Sequence, residues 1–242
     1  MRLKSLSACV KNTTRWKPFP AFGKQSRNEL MLSKTPEAKK VTITPPNFMV
    51  SVVRIRGTAP YVQNRMSQRR REAMEEAQKQ GTQQRRARKK KDPKDFDEAY
   101  RGAMHISQDG WYGIPASSFR AAMISACRTV GLTMQMAKLT VFVVGDGRDA
   151  EDNQALIRLH GEPHPFNMAV RLASGTTDIA CRPMFDEWWA DVTIKWDNDT
   201  FQAADIVNLL ARAGVHCGIG AGRPDSKESA GMGWGTFEIV QE

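Results

Sequence analysis

Between Arg65 and Lys94 the chain carries 12 Lys and Arg against 4 Asp and Glu, and the run RRARKKK at 85–91 is cationic at every position but one. Cations packed at this density do no covalent chemistry as a group. Near a polyanion they displace condensed counterions, and about six to ten phosphate contacts give tight, salt-sensitive binding that ignores sequence. The candidate phosphate contacts are Arg65, Arg69, Arg70, Arg71, Arg85, Arg86, Arg88, Lys89, Lys90 and Lys91. The plainer alternative is a solvated charged loop or a localisation signal.

A second group is glycine-rich: Gly214, Gly218, Gly220, Gly222, Arg223 and Pro224, then Gly231, Gly233 and Gly235. Glycine admits positive φ and close backbone approach, so such a loop can lay its N–H groups along a phosphate backbone, with Arg223 pairing a charge. The same residues equally describe a tight structural turn against the first strand. GxGxGRP is not a dinucleotide fingerprint, because it follows a helical pattern and does not join a strand to a helix. Tyr61, Trp111, Tyr112 and Trp234 are candidate stacking platforms for unpaired bases, whereas Trp188, Trp189 and Trp196 read as packing residues.

Catalytic signals are thin. The four histidines, His105, His160, His164 and His216, are read as marking no metal site, and no nucleophile elbow occurs. The acids of GDGRDAEDN, Asp146, Asp149, Glu151 and Asp152, could meet a divalent cation but lack the terminal glutamate of a calcium loop and read as a hairpin turn. The expectation is no catalytic residue, no metal and no cofactor. RNA cleavage without a metal would need a histidine beside the bound backbone, and only His105 or His216 is placed for that.

The elements that must hold these groups follow from periodicity. FMVSVVRIRG alternates and closes at Gly57, Thr58 and Pro60, a first strand. SQRRREAMEEAQKQ has good helix formers but no apolar stripe, so residues 62–94 read as an inserted basic finger. IPASSFRAAMISACRTVG sets Phe119, Met123, Ala126, Cys127 and Val130 on one helical face between Pro115 and Gly131. KLTVFVVGDG (138–147), QALIRLHG (154–161), NMAVRLA (167–173), TDIACRP (177–183) and ADVTIKW (190–196) read as strands. AADIVNLLARAG (203–214) is a second helix closed by glycine, and WGTFEIV (234–240) a last strand. Without the finger and the extra strands the order is β-α-β-β-α-β, so the predicted class is α+β with a ferredoxin-like, RRM-like core.

The charge is divided unevenly. The 242 residues carry a net +10, yet residues 1–94 hold 24 basic against 6 acidic side chains and the remainder 12 against 20. Residues 1–46, which mix Lys, Ser, Thr, Asn and Pro, read as a flexible basic arm, and 47–242 as the folded domain. The four cysteines are widely spaced and form no CxxC pair, which indicates neither a disulfide scaffold nor a zinc ribbon and fits a reducing compartment. No apolar run approaches a membrane span, and the N-terminus lacks a secretion signal's apolar core; a mitochondrial transit peptide is the minor alternative for its basic, acid-free opening.

The order of strand, basic insertion, helix, strands, helix, GIGAGRP loop and final GWGTFEIV strand resembles the RAMP superfamily, the ferredoxin-like backbone subunits of CRISPR effector complexes, over about residues 47–240. The resemblance implies that the loop carrying Gly218, Gly220, Gly222 and Arg223 sits against the first helix and contacts RNA. RIRGTAPYVQNRMS, YGIPASSFRAAMISACR, CRPMFDEW and GIGAGRP are more closely similar to a phage and prophage family of no assigned activity, which implies a setting in the bacterial cytoplasm. The expected function is the binding of single-stranded RNA or DNA through phosphate contacts, by an oligomer or within a larger ribonucleoprotein complex. The alternative is a phage interaction protein, an anti-defence factor or virion component, whose basic arm docks an acidic partner.

Overall fold

In the computed structural model the chain divides into two compact units, Met1–Ile43 and Thr44–Glu242. The structure describes residues 43–79, 93–171, 175–226 and 231–240, so residues 1–42 of the arm and the cluster Arg85, Arg86, Arg88, Lys89, Lys90 and Lys91 lie outside the described residues.

The second unit is α+β. Its main sheet has four strands, all with antiparallel neighbours: β1 (Phe48–Gly57), β4 (Val141–Val144), β9 (Trp189–Asp197) and β10 (Phe237–Ile239), in the order β10-β1-β9-β4. Helix α3 (Ala116–Ala126) lies between β1 and β4 in the chain, and α5 (Ala203–Arg212) between β9 and β10. Strand period and helix period meet in one core. Ala190, Val192, Ile194 and Trp196 alternate inward along β9, and Val53 and Ile55 along β1, against Phe119 and Met123 of α3 and Ile206, Leu209 and Leu210 of α5. The other face of β1 is open, with Phe48, Val50 and Val52 exposed.

Two three-stranded sheets complete the unit. β2 (Tyr61–Val62), β8 (Thr177–Phe185) and β7 (Pro163–Arg171) pair in the order β2-β8-β7. β3 (Gly113–Pro115), β6 (Ala155–Arg158) and β5 (Gly147–Arg148) pair in the order β3-β6-β5. At the base of the finger, α1 (Gln68–Lys79) buries no residue, as its lack of an apolar stripe requires, and α2 (Phe96–Gly102) is capped by Asp95, which accepts from the N–H groups of Asp97 and Glu98.

Three boundaries differ from the sequence reading. The segment expected as one strand from Lys138 begins as helix α4 (Met134–Thr140) and turns to strand only at Val141, where three β-branched residues enter the next four positions. Gly214 does not close α5: a π-helical turn carries the chain on to Cys217, and Gly218, at φ 64°, is the stop. Val130, expected on the buried face of α3, is exposed because a 3₁₀ turn from Cys127 rotates it away before Gly131 ends the segment. Among the described residues, no helix is long and apolar enough to cross a membrane.

Candidate nucleic-acid interface

The glycine loop shares a cleft with α3, and three backbone bonds fix it to the π-helical turn, to Gly235 and to β2. Gly218, Ile219 and Ala221 donate their N–H groups to Ala213 O (2.9 Å), Gly235 O (2.9 Å) and Val62 O (2.9 Å). These donors are therefore structural and not open to a phosphate. Gly218, Gly220 and Gly222 all have positive φ, and at Gly220 the backbone is pressed so closely on β2 that a Cβ would fall 2.6 Å from Val62 O and from the Tyr61 ring. Arg223 folds back to donate to Gly220 O at 3.1 Å, and among the described residues no carboxylate pairs with it.

Between this loop and α3 lies a cleft of about 590 Å³ lined by Ser117, Ser118, Ser125, Arg128, Lys138, Gly218, Gly220, Arg223 and Asp225. The helix begins after Pro115, which offers no side-chain cap, and its first turn brings Ser117 and Ser118 to the cleft at the positive end of the helix dipole. The cleft's one acid is already engaged: Asp225 accepts from Ser125 and pairs with Arg128 at 2.7 Å, and both hold its carboxyl below the usual range. Among the described residues, Lys138 and Arg223 remain as cations without a carboxylate partner. A second cleft of about 230 Å³ shares Ser118, Gly220 and Arg223 and adds Asn64, His105 and Ala221, so Arg223 lines both.

His105 enters that second cleft through a buried network. Its Nδ1 lies 3.0 Å from Asp149 Oδ2, and its backbone N–H donates to Gln63 Oε1 at 2.9 Å. Burial lowers the imidazole's pKa in spite of Asp149, so at neutral pH the ring is uncharged and Nδ1–H donates to the carboxylate. Asp149 is 1% exposed; burial opposes its charge, but N–H groups of Glu151 and Asp152, His105 and the Arg65 guanidinium hold its carboxyl below the usual range. The result is a carboxylate-oriented imidazole on the wall of a cleft that Arg223 also lines, a pairing capable of acid–base work. His216 is elsewhere, on a separate cleft with Val130, Leu132 and Phe201.

Burial and pairing correct several expectations drawn from the sequence. Tyr61 is no stacking platform: it is 2% exposed, packed on Phe185 and Trp188 at centroid distances of 6.0 and 5.5 Å, and burial pushes its phenol far above the ordinary value. Arg65 is no phosphate contact either. Its guanidinium is buried against Glu151 at 2.5 Å, Asp149 at 3.3 Å and Asp152 at 3.8 Å, and these partners keep it protonated although burial opposes its charge. Arg69 pairs with Glu98 at 2.6 Å and Arg71 approaches Glu151 at 3.5 Å. Arg70 is exposed and sits close enough to Arg182 to help depress its pKa, after burial.

Asp149, Glu151 and Asp152 of the GDGRDAEDN turn thus serve a cation of the chain itself. His105, Asp149 and Asp152 bring ligand atoms within 4.8 Å of one another, but a metal there would contend with the Arg65 guanidinium, which does not fit a resident ion. Sequence spacing could not reveal this network, since Arg65 and His105 reach Asp149 across 84 and 44 residues. No protein-family model matches the chain, and no curated protein matches it.

Proposed function

We propose that this chain is a RAMP-like protein with a ferredoxin-like, RRM-like core that holds single-stranded RNA or DNA by its phosphates. The observation that carries this reading is the groove in which the first turn of α3, Arg223, Lys138 and Arg128 converge on the glycine loop around a single, already paired acid. The order β10-β1-β9-β4, with a helix in each crossover, supports the ferredoxin-like topology. Residues 85–91, outside the described residues, add six cations to the chain. Self-association along the strand is supported by the open row Phe48, Val50 and Val52 on β1.

The test is binding of the intact protein to labelled single-stranded RNA, single-stranded DNA and duplex across a salt series, with Arg223→Ala beside it. Affinity that falls steeply with salt, and an Arg223→Ala protein that is weaker at every sequence with a salt slope smaller by about one, supports the reading. Absence of binding at low salt would reject it and turn the basic segments into docking elements for an acidic protein partner.

A further inference from the structure

Ring systems stand in a row across the outer side of the main sheet. Arg56 faces Trp189 in the β1–β9 register, and the guanidinium carbon of Arg54, two residues earlier on the same side, lies 4.8 Å from the centre of the Trp189 ring. Trp189 is bridged in turn to His160, whose imidazole stacks on the indole at 3.6 Å and 2°. One segment further across, Leu159 donates its N–H to Tyr112 O at 2.8 Å, which brings the chain at Trp111 to the end of the row. Beyond His160 the stack ends at a gap that Trp111 also lines. The gap is a pocket of about 300 Å³ lined by Trp111, Asp146, Arg158, His160 and Asp191.

Its walls and its polar groups have distinct roles. Trp111 is held from behind by Gly147, where a Cβ would fall 2.7 Å from the indole, so the ring lies directly on the GDG turn. Asp191 is spent, since both its oxygens accept from Arg54. Asp146 accepts from the Arg158 N–H through Oδ2 at 2.8 Å, and among the described residues its other oxygen meets no donor. The Arg158 guanidinium likewise meets no carboxylate among the described residues. The pocket therefore offers two ring walls, one carboxylate acceptor and one cationic donor, in a volume at the lower end of the about 300–1,000 Å³ usual for small ligands.

We propose that this gap is a nucleobase site for an unpaired guanine, inserted between His160 and Trp111, with Asp146 accepting from its Watson–Crick edge and Arg158 meeting its carbonyl or phosphate. Guanine alone presents two adjacent donors, N1–H and the exocyclic amine, to a carboxylate. Adenine turns a lone pair at N1 toward it, and cytosine offers one donor beside an acceptor. The ring stack supplies affinity and the carboxylate the choice of base. The site rests on the nucleic-acid reading but not on the glycine-loop groove.

The experiment compares the intact protein's affinity for labelled oligouridylates of about twelve nucleotides carrying one central guanine or one central adenine. The guanine strand is expected to bind about tenfold more tightly. Asp146→Asn, which keeps an acceptor for the Arg158 N–H, should bring the two strands level, and Trp111→Ala should weaken the guanine strand more than the adenine strand. Equal affinities in the unaltered protein, or a preference that survives both substitutions, overturn the site while leaving the groove intact. Should neither strand bind, the groove reading fails, and guanosine monophosphate decides the pocket by itself: shifted ring resonances lost in Asp146→Asn support it, and unshifted resonances overturn it.

Discussion

The imidazole of His105 and the carboxylate of Asp149 lie 3.0 Å apart, yet the pair is a neutral donor on an anion and not a salt bridge. Burial lowers the folded-state pKa of His105, and burial followed by Arg158 lowers that of His160. A histidine with a depressed folded pKa binds its proton more tightly in the unfolded chain, so stability rises with pH through its titration. The thermal midpoint should hold steady above about pH 7 and decline as pH falls below the unfolded value of about 6.5. Asp149, whose pKa is also depressed, adds a further loss at lower pH, as its carboxylate is protonated. Scanning calorimetry from about pH 7.5 to about pH 5 checks this, with a His105→Gln, His160→Gln protein expected to flatten the slope. A midpoint that rises on acidification would mean that His105 is protonated against Asp149.

Arg65 and Arg69 stand four residues apart and should behave oppositely when removed. Arg65 is buried among three carboxylates, one of them 1% exposed, so Arg65→Met leaves buried negative charge without its partner and should cost about 3–5 kcal/mol in urea unfolding. Arg69 and Glu98 form an exposed pair, and Arg69→Ala should cost less than about 1 kcal/mol. Similar losses in the two proteins would remove Arg65 from the framework.

That contrast marks what the sequence can convey. Local periodicity locates α3 and α5 and their buried residues Phe119, Met123, Ile206 and Leu209, because 3.6-residue spacing is a property of neighbours along the chain. It also places the strands of the main sheet, although α4 is hidden in an apolar run that suits either state. Charge counting treats Arg65, Arg69, Arg70 and Arg71 as equivalent. What separates them is the arrival of Asp149, Glu151 and Asp152 at Arg65 through tertiary packing, which leaves no trace in the spacing of either segment. The Tyr61 ring is legible as aromatic but not as buried, since its place under Gly220 depends on a loop 159 residues away.

The glycine loop allows a paired test of strain against space. Gly220 and Gly233 have the same φ of 75°, but a Cβ at Gly220 meets Val62 O and the Tyr61 ring, whereas at Gly233 it meets nothing within 4 Å. Gly233→Ala should therefore lose only the left-handed backbone penalty of about 1–2 kcal/mol. Gly220→Ala adds a collision with backbone that cannot turn aside. It should lose clearly more, with the loop shifted off β2 and the bond from Ala221 N–H to Val62 O opened to hydrogen exchange.

Groove and finger predict different signatures in nucleic-acid binding. Replacing Arg85, Arg86, Arg88, Lys89, Lys90 and Lys91 by Ala removes cations remote in sequence from the glycine loop, so affinity should fall for every sequence and the salt slope should flatten by several units. Arg223→Ala removes one cation from a groove that also holds Lys138 and the α3 N-terminus, so its slope should change by about one. If the two regions contact separate phosphates, the combined protein should show the sum of both slope changes. A finger substitution that leaves affinity and slope unaltered would confine binding to the groove. A silent Arg223→Ala would instead leave the glycine loop as a structural turn, whose bonds to Val62 and Gly235 already account for its geometry.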